Sequence, residues 1–240
     1  MLQKIDLKKI LFLDIETVPL AANFNELSQI EQDLFSQKTE YQRKSENITS
    51  SDFYGKAGIW AEFGKIICLS VGYFTESNSE ISFRVKSFFG EEKSLLSEFS
   101  NLLKSHFSRP EHVLCAHNGK EFDFPFIARR MIVHGLELPE KLNLFGKKPW
   151  EVSHLDTLDL WKFGDYKHYT SLNLLTHILG IPSPKGDIDG SQVADVFYNE
   201  NNLTRIVKYC ERDVVAIAQI ILKFQNKPMI NENKIVYLNA

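Results

Sequence analysis

The chain has 240 residues, 43% of them hydrophobic and 25% charged, with a formal net charge of −3, an ordinary globular balance that excludes a disordered or fibrous class. That length can bury a full core and favours a single α/β domain over residues 1–240, with insertions. The charge gives no general pull toward long duplexes, although an enzyme that grips one strand end needs only a local basic rim.

The run from Ile10 to Val18, stopped by Pro19, is apolar enough for a buried central strand. Asp14 and Glu16 interrupt it two residues apart, so strand periodicity sets both on one face. Two like charges there repel and are costly to desolvate unless a cation or a protein base neutralises them. The alternative is a strand that ends at Leu13, with both acids in solvent. Residues 20–62 form a polar region with Leu27, Ile30, Leu34 and Phe35 in helical spacing, read as a helical insertion. Its aromatic close, Phe53, Tyr54, Trp60 and Phe63, either packs the insertion down or covers a cleft.

Lys65 to Phe74 and Glu80 to Phe89 read as a hairpin joined by Thr75 to Ser79, which with the first strand makes a three-stranded antiparallel meander. A helix opens at Gly90-Glu91-Glu92 and runs to about His106, with Leu95, Leu96, Phe99, Leu102 and Leu103 on one face. His112 to His117 suits a buried parallel strand, and a helix follows from about Pro125 to His134. A weak strand is expected at Glu151 to Leu155 and a helix at Asp156 to Phe163. Further helices are expected at Ser171 to Leu179 and at about Thr204 to Gln225. A meander followed by alternating strands and helices predicts an α/β class: a ribonuclease H-like mixed sheet, the meander plus parallel strands, flanked by helices.

Cys68, Cys115 and Cys210 each lie in an apolar context and read as buried reduced thiols. The first nine residues lack the apolar core of a signal peptide and no later segment reaches membrane-spanning length, so a cytoplasmic chain is expected, with no membrane partner.

More acids lie beyond the first strand. Asp123 follows the turn signal Asn118-Gly119 and precedes Pro125, where it reads as a helix N-cap or as a group facing the catalytic edge of the sheet. In the last helix Ile206, Cys210, Val214, Ile217, Ile221 and Phe224 form the core stripe. Tyr209 and Asp213, four apart, share a half-buried face beside it, and Glu211 and Arg212 fall on the outer, solvated side. Asp14, Glu16, Asp123 and Asp213 are the oxygen ligands that hard cations such as magnesium or manganese take. Two such ions, about 4 Å apart, can activate a water and stabilise the leaving oxygen of a phosphodiester.

Asp14-Ile15-Glu16-Thr17, then Asn118 with Phe122-Asp123, then Tyr209 with Asp213, resemble in that order the three motifs of the DEDDy branch of DnaQ-like 3′-5′ exonucleases. Lys148-Pro149-Trp150, His154 to Leu160, Ser171-Leu172-Asn173 and Gly186 to Val193 are similar to predicted 3′-5′ exonucleases related to the exonuclease domain of family B DNA polymerases. The likeness covers roughly Ile10 to Gln225. It implies a metal-dependent exonuclease acting on single-stranded DNA or RNA 3′ ends, DNA favoured, with two divalent ions (Mg2+ or Mn2+) as cofactors.

By the same resemblance Asp14 would bridge the metals, Glu16 and Asp213 would complete the first shell, and Asp123 would hold the second ion through water. Tyr209 would orient the water. Ile15, Thr17, Asn118 and Phe122 would bind substrate, Thr17 through its backbone and Phe122 by stacking on a base. A replication or repair protein is an open choice of partner. The rival readings are a catalytically silent nucleic-acid-binding or scaffolding module of the same fold, and an RNA-processing exonuclease similar to ribonuclease D. Among other residues, Asp156 and Asp159 read as a capping pair. His168 and Lys185 could touch phosphate, and Arg129 and Arg130 sit as solvated rim charge.

Overall fold

The computed structural model describes residues 3, 5–77, 80–165, 167–182 and 188–238. In chain order these form β1 (Ile10–Pro19), α1 (Gln29–Lys38), α2 (Glu40–Glu46), α3 (Ser50–Phe53), β2 (Gly64–Ser77), β3 (Glu80–Phe89), α4 (Glu92–His106), β4 (Val113–Ala116) and α5 (Asp123–Val133). Then follow β5 (Leu155–Asp156), α6 (Thr157–Lys162), α7 (Leu172–Ile178), α8 (Val193–Tyr198), α9 (Leu203–Phe224) and β6 (Ile235–Tyr237). The strands form one sheet in the order β5-β4-β1-β2-β3-β6. β2 runs antiparallel to both neighbours, and the pairs β1–β4, β4–β5 and β3–β6 are parallel. The fold is therefore the α/β, ribonuclease H-like mixed sheet that the sequence predicts.

β1 has a strand on each side and helices over each face, which is why its sequence is a continuous apolar run and not an alternating one. Leu11, Leu13 and Ile15 point to the face covered by α4 and α5, where Leu96, Phe99, Phe124 and Ile127 meet them. Ile10 and Phe12 point the other way, into α9, against Val214, Ile217, Ala218 and Ile221. Phe12 meets Phe74 and Phe83 edge-on, with both centroid separations 5.8 Å; burying each such ring is worth about 1.5–3 kcal/mol. α9 comes so close to the sheet that a Cβ on Gly72 would lie 2.3 Å from Phe83 and 2.6 Å from Val214. Only glycine lets the long helix settle at that depth.

Several local expectations change. Residues 20–62 do carry helices, α1 to α3, but the apolar stripe is narrower than the spacing suggests: Ile30 and Leu34 are 71% and 52% exposed. Leu27 and Phe35 are buried, and Phe53, Tyr54, Trp60 and Phe63 gather around Phe35 as a separate small core. The aromatic close therefore packs the insertion down. Arg130 is not rim charge. It is 5% exposed and forks onto Glu92, with Nε to Oε1 at 2.9 Å and Nη2 to Oε2 at 2.6 Å. Glu211 is not solvated either: it is 8% exposed and accepts from the Ser87 hydroxyl at 2.8 Å. α8 and β6 have no counterpart in the predicted elements. All three cysteines are buried and free. Asn78 and Ser79 of the predicted hairpin turn, Lys185 and the Gly186-Asp187 part of the last motif lie outside the described residues. Among the described residues no helix is long and apolar enough to cross a membrane.

Candidate active site

The face of β1 that carries Ile10 and Phe12 continues through Asp14 and Glu16 to the strand's end, under α9. Asp14 lies opposite Ser70 and Glu16 opposite Cys68 on β2; between Glu16 and Thr17 the register steps past Ile67, a bulge of the kind that re-aims side chains beside sites. Past the last core residue of α9 facing this strand, the helix lays its polar edge on the two acids. Cys210 points its thiol at Asp14, 3.4 Å from both the main-chain oxygen and Oδ2. One helical turn apart, the Tyr209 hydroxyl donates to the Asp213 carboxylate. Donor atoms of Asp14, Glu16 and Cys210 all lie within 4.8 Å of one another.

Asp123 arrives from a different element. Asn118 adopts a left-handed conformation, φ 64°, and a Cβ on the next residue, Gly119, would fall 2.4 Å from that of Ala116; both residues suit this tight turn. The Asp156 carboxylate grips the turn, accepting from the amides of Asn118 at 2.9 Å and Lys120 at 3.0 Å. His117 spans its other side, with Nδ1 2.9 Å from the Thr157 hydroxyl and Nε2 2.9 Å from the Thr170 carbonyl. α5 then begins at Asp123 itself, two residues earlier than Pro125 suggests. Phe122 is the residue at the cap position, and no side chain caps this helix end. Asp123 is thus released from capping and sits 3% exposed against the sheet edge.

Burial is the largest cause holding the Asp14 carboxyl well above the usual carboxylate range, followed by the charges of Glu16, Asp123 and Asp213; the Cys210 thiol partly offsets them. Glu16 is raised well above its range by burial, then by Asp213, Cys68 and Asp123. Burial pushes Asp123 to about 8, with Asp156 adding and the backbone amides of Asp123 and Ile15 opposing. It pushes Asp213 to about 7 against the Tyr209 hydroxyl and Arg212. Burial first, and then the charges of Asp213, Glu16 and Asp14, raise the Tyr209 hydroxyl. Four acids from three segments thus make each other's ionisation costly. Among the described residues, none of the four forms an ion pair with lysine or arginine, and Glu16 is only 7% exposed. Such a donor set fits divalent cations, which would remove the repulsion.

The four acids and Tyr209 therefore meet at one place. Ile15 buries its side chain in the α4–α5 core, and Thr17 spends its hydroxyl on the Gly58 carbonyl at 2.8 Å, so both offer a ligand only backbone. Asn118 and Phe122 are half-buried beside Asp123. His168 is exposed. Asp156 is the helix cap that the sequence suggests, accepting from the Leu158 and Asp159 amides of α6, but it also organises the Asn118 turn. Nothing in the spacing announces that second use. Cys210 was legible only as a core residue.

A family model described as "Predicted 3'-5' exonuclease related to the exonuclease domain of PolB" matches residues 59–233. That span holds Asp123, Tyr209 and Asp213, while Asp14 and Glu16 precede it. Among solved structures, the family B DNA polymerase from the hyperthermophilic archaeon Pyrobaculum calidifontis is similar, with a TM-score of 0.53 at 16% identity. The match covers 90% of this chain and 24% of the polymerase. At that identity the likeness is one of fold.

Proposed function

The chain belongs to the family of predicted 3′-5′ exonucleases related to the exonuclease domain of PolB, and from that premise we propose that it hydrolyses single-stranded nucleic-acid 3′ ends. DNA is the favoured substrate, and 5′-mononucleotides are released by a two-metal mechanism. The observation that carries the reading is the convergence of Asp14, Glu16, Asp123 and Asp213, all with raised carboxyl pKa, from three separated segments. These four acids would hold two divalent ions, magnesium or manganese, whose chemistry is to activate water and neutralise charge on the phosphodiester.

The remaining roles follow from the protein's own groups. Tyr209 keeps its proton well past neutral pH, so it orients the attacking water by hydrogen bonding and does not act as its base. Ile15 and Thr17 meet the terminal nucleotide through main-chain atoms. Asn118 positions the scissile phosphate, and the half-buried Phe122 ring offers a stacking surface to a base. We read residues 1–240 as one exonuclease domain. Residues 20–62 support that reading by a tie to the strand that carries the acids, the Thr17 hydroxyl donating to the Gly58 carbonyl at 2.8 Å.

The test is incubation of 5′-labelled DNA and RNA strands of matched sequence with the protein and magnesium or manganese, with EDTA blanks. Stepwise shortening from the 3′ end, faster on DNA and abolished by EDTA, is expected. Shortening that survives EDTA, or none at all, would sink the reading.

A further inference from the structure

Beside the Asn118 turn the chain leaves an aromatic ring open to solvent. Tyr169 is 65% exposed, yet burial raises its hydroxyl, and the charges of Asp156 and then Asp123 add to the shift. The phenol end therefore lies toward the acids while a ring face stays in water. His117 holds the segment in place: Nε2 donates to the Thr170 carbonyl at 2.9 Å, and the imidazole meets the Tyr169 ring edge-on with centroids 6.4 Å apart. Lys167 and His168, immediately before it, are exposed and form no ion pair among the described residues. The hydrolytic chemistry at the four acids uses none of these three side chains.

We propose that Lys167, His168 and Tyr169 form a binding track for single-stranded nucleic acid, on which a base upstream of the 3′ end stacks against the Tyr169 ring while the two basic side chains meet backbone phosphates. An open aromatic face beside unpaired basic groups is the combination that holds a single strand without reading its sequence. A duplex keeps its bases stacked on one another and has no free face to offer the ring. Because the phenol end is turned inward and the ring edge rests on His117, little side-chain freedom is left to lose on binding. The sheet order β5-β4-β1 sets the direction of the track. Asp14 to Thr17 lie at the end of β1, the Asn118 turn follows β4, and Tyr169 is tied through His117 to Thr157, the first residue after β5. A strand whose last nucleotide sits at β1 thus reaches Tyr169 with nucleotides upstream of it. That register rests on the exonuclease reading; the binding does not.

The probe is 5′-fluorescein oligothymidylate of two and of eight nucleotides, titrated with the full chain in EDTA and followed by anisotropy. Binding of the octanucleotide is expected to weaken about 5- to 100-fold in Tyr169→Ala and to return in Tyr169→Phe, which keeps the ring. Tyr41→Ala, which removes a ring 85% exposed on α2, should bind as the wild type does. The dinucleotide, too short to reach the track, should not distinguish Tyr169→Ala from wild type. No octanucleotide binding by the wild type, an undiminished affinity in Tyr169→Ala, an equal loss in Tyr41→Ala, or a duplex end bound more tightly than the single strand overturns the proposal. Should Tyr169→Ala fail to fold, Lys167→Ala decides: a salt dependence shallower by about 0.7 in log–log slope supports the track, and an unchanged slope overturns it. Shortening assays on the same variants keep the two readings apart. A wild type that binds through Tyr169 but never shortens the strand leaves the track standing and removes the exonuclease reading, whereas shortening whose KM for the octanucleotide ignores Tyr169→Ala removes the track alone.

Discussion

Asp156 reaches across 38 residues of chain to hold the Asn118 amide at 2.9 Å. The same carboxylate caps α6 and takes the Lys120 amide, so one buried acid fixes the turn that delivers Asn118, Phe122 and Asp123. Asp156→Ala leaves those amides without an acceptor and uncaps the helix, at a cost of about 2–4 kcal/mol. Thermal unfolding should show that loss, and the exonuclease rate of the folded fraction should fall with it. A rate that stays unchanged in the folded fraction would confine Asp156 to stability.

Arg130 and Glu92 form a buried fork to which the Ile66 amide, the Ala61 carbonyl and His134 are all tied. Arg130→Met strands the Glu92 charge and is expected to destabilise by about 3–5 kcal/mol in chemical denaturation. Pairing it with Glu92→Leu should recover much of that loss. If the double variant is no better than the single, stranding is not the cause.

Tyr209→Phe keeps the ring and removes the hydroxyl that bonds Asp213. Loss of an oriented water predicts a fall in kcat of about 100-fold. Stabilisation by manganese should persist, because the four acids remain. Steady-state rates and thermal shifts on the same preparation separate the two effects.

Two opposed pH effects follow from buried groups. Burial lowers the His154 imidazole from its ordinary 6.5 to about 4; its neutral ring takes the Leu114 amide on Nδ1 and faces the Lys141 carbonyl through Nε2. The unfolded chain protonates below 6.5 while the folded one does not until about 4. Stability present above that window is therefore lost as pH falls through it, by about 3 kcal/mol. Asp123 and Asp213, raised to about 8 and about 7, act the other way: they favour the folded state at low pH, and that contribution is lost as pH rises through those values. The metal-free protein should thus lose stability from mild acid toward pH 8, and manganese should flatten that limb while leaving the acid-side loss. Melting temperatures across pH, with EDTA and with manganese, check both. A metal-free limb that does not slope would remove the carboxylate part.

β1, α4, α5 and α9 were legible because their signals are local: an apolar run, a 3.6-residue stripe, a proline-marked helix start. The face shared by Asp14 and Glu16, and the half-buried edge of Tyr209 and Asp213, follow from the same periodicities. What stayed hidden depends on distant partners. Glu211 reads as solvated until Ser87, 124 residues away, donates to it. Arg130 reads as rim charge until Glu92 folds against it. α8 is six residues and β6 three, too short to show a period, and β6 exists only through its parallel pairing with β3. Ile30 and Leu34 keep helical spacing, yet the insertion's core is built on Phe35 and the aromatics that follow, leaving them in water.

We propose that metal-dependent hydrolysis turns on Asp14, held between Glu16 and α9. The most direct measurement compares wild type with Asp14→Asn on a 5′-labelled single strand with manganese, after thermal unfolding has shown both folded. The prediction is a stepwise ladder from the 3′ end for the wild type and intact strand for the variant. A ladder of equal rate from Asp14→Asn would contradict the account.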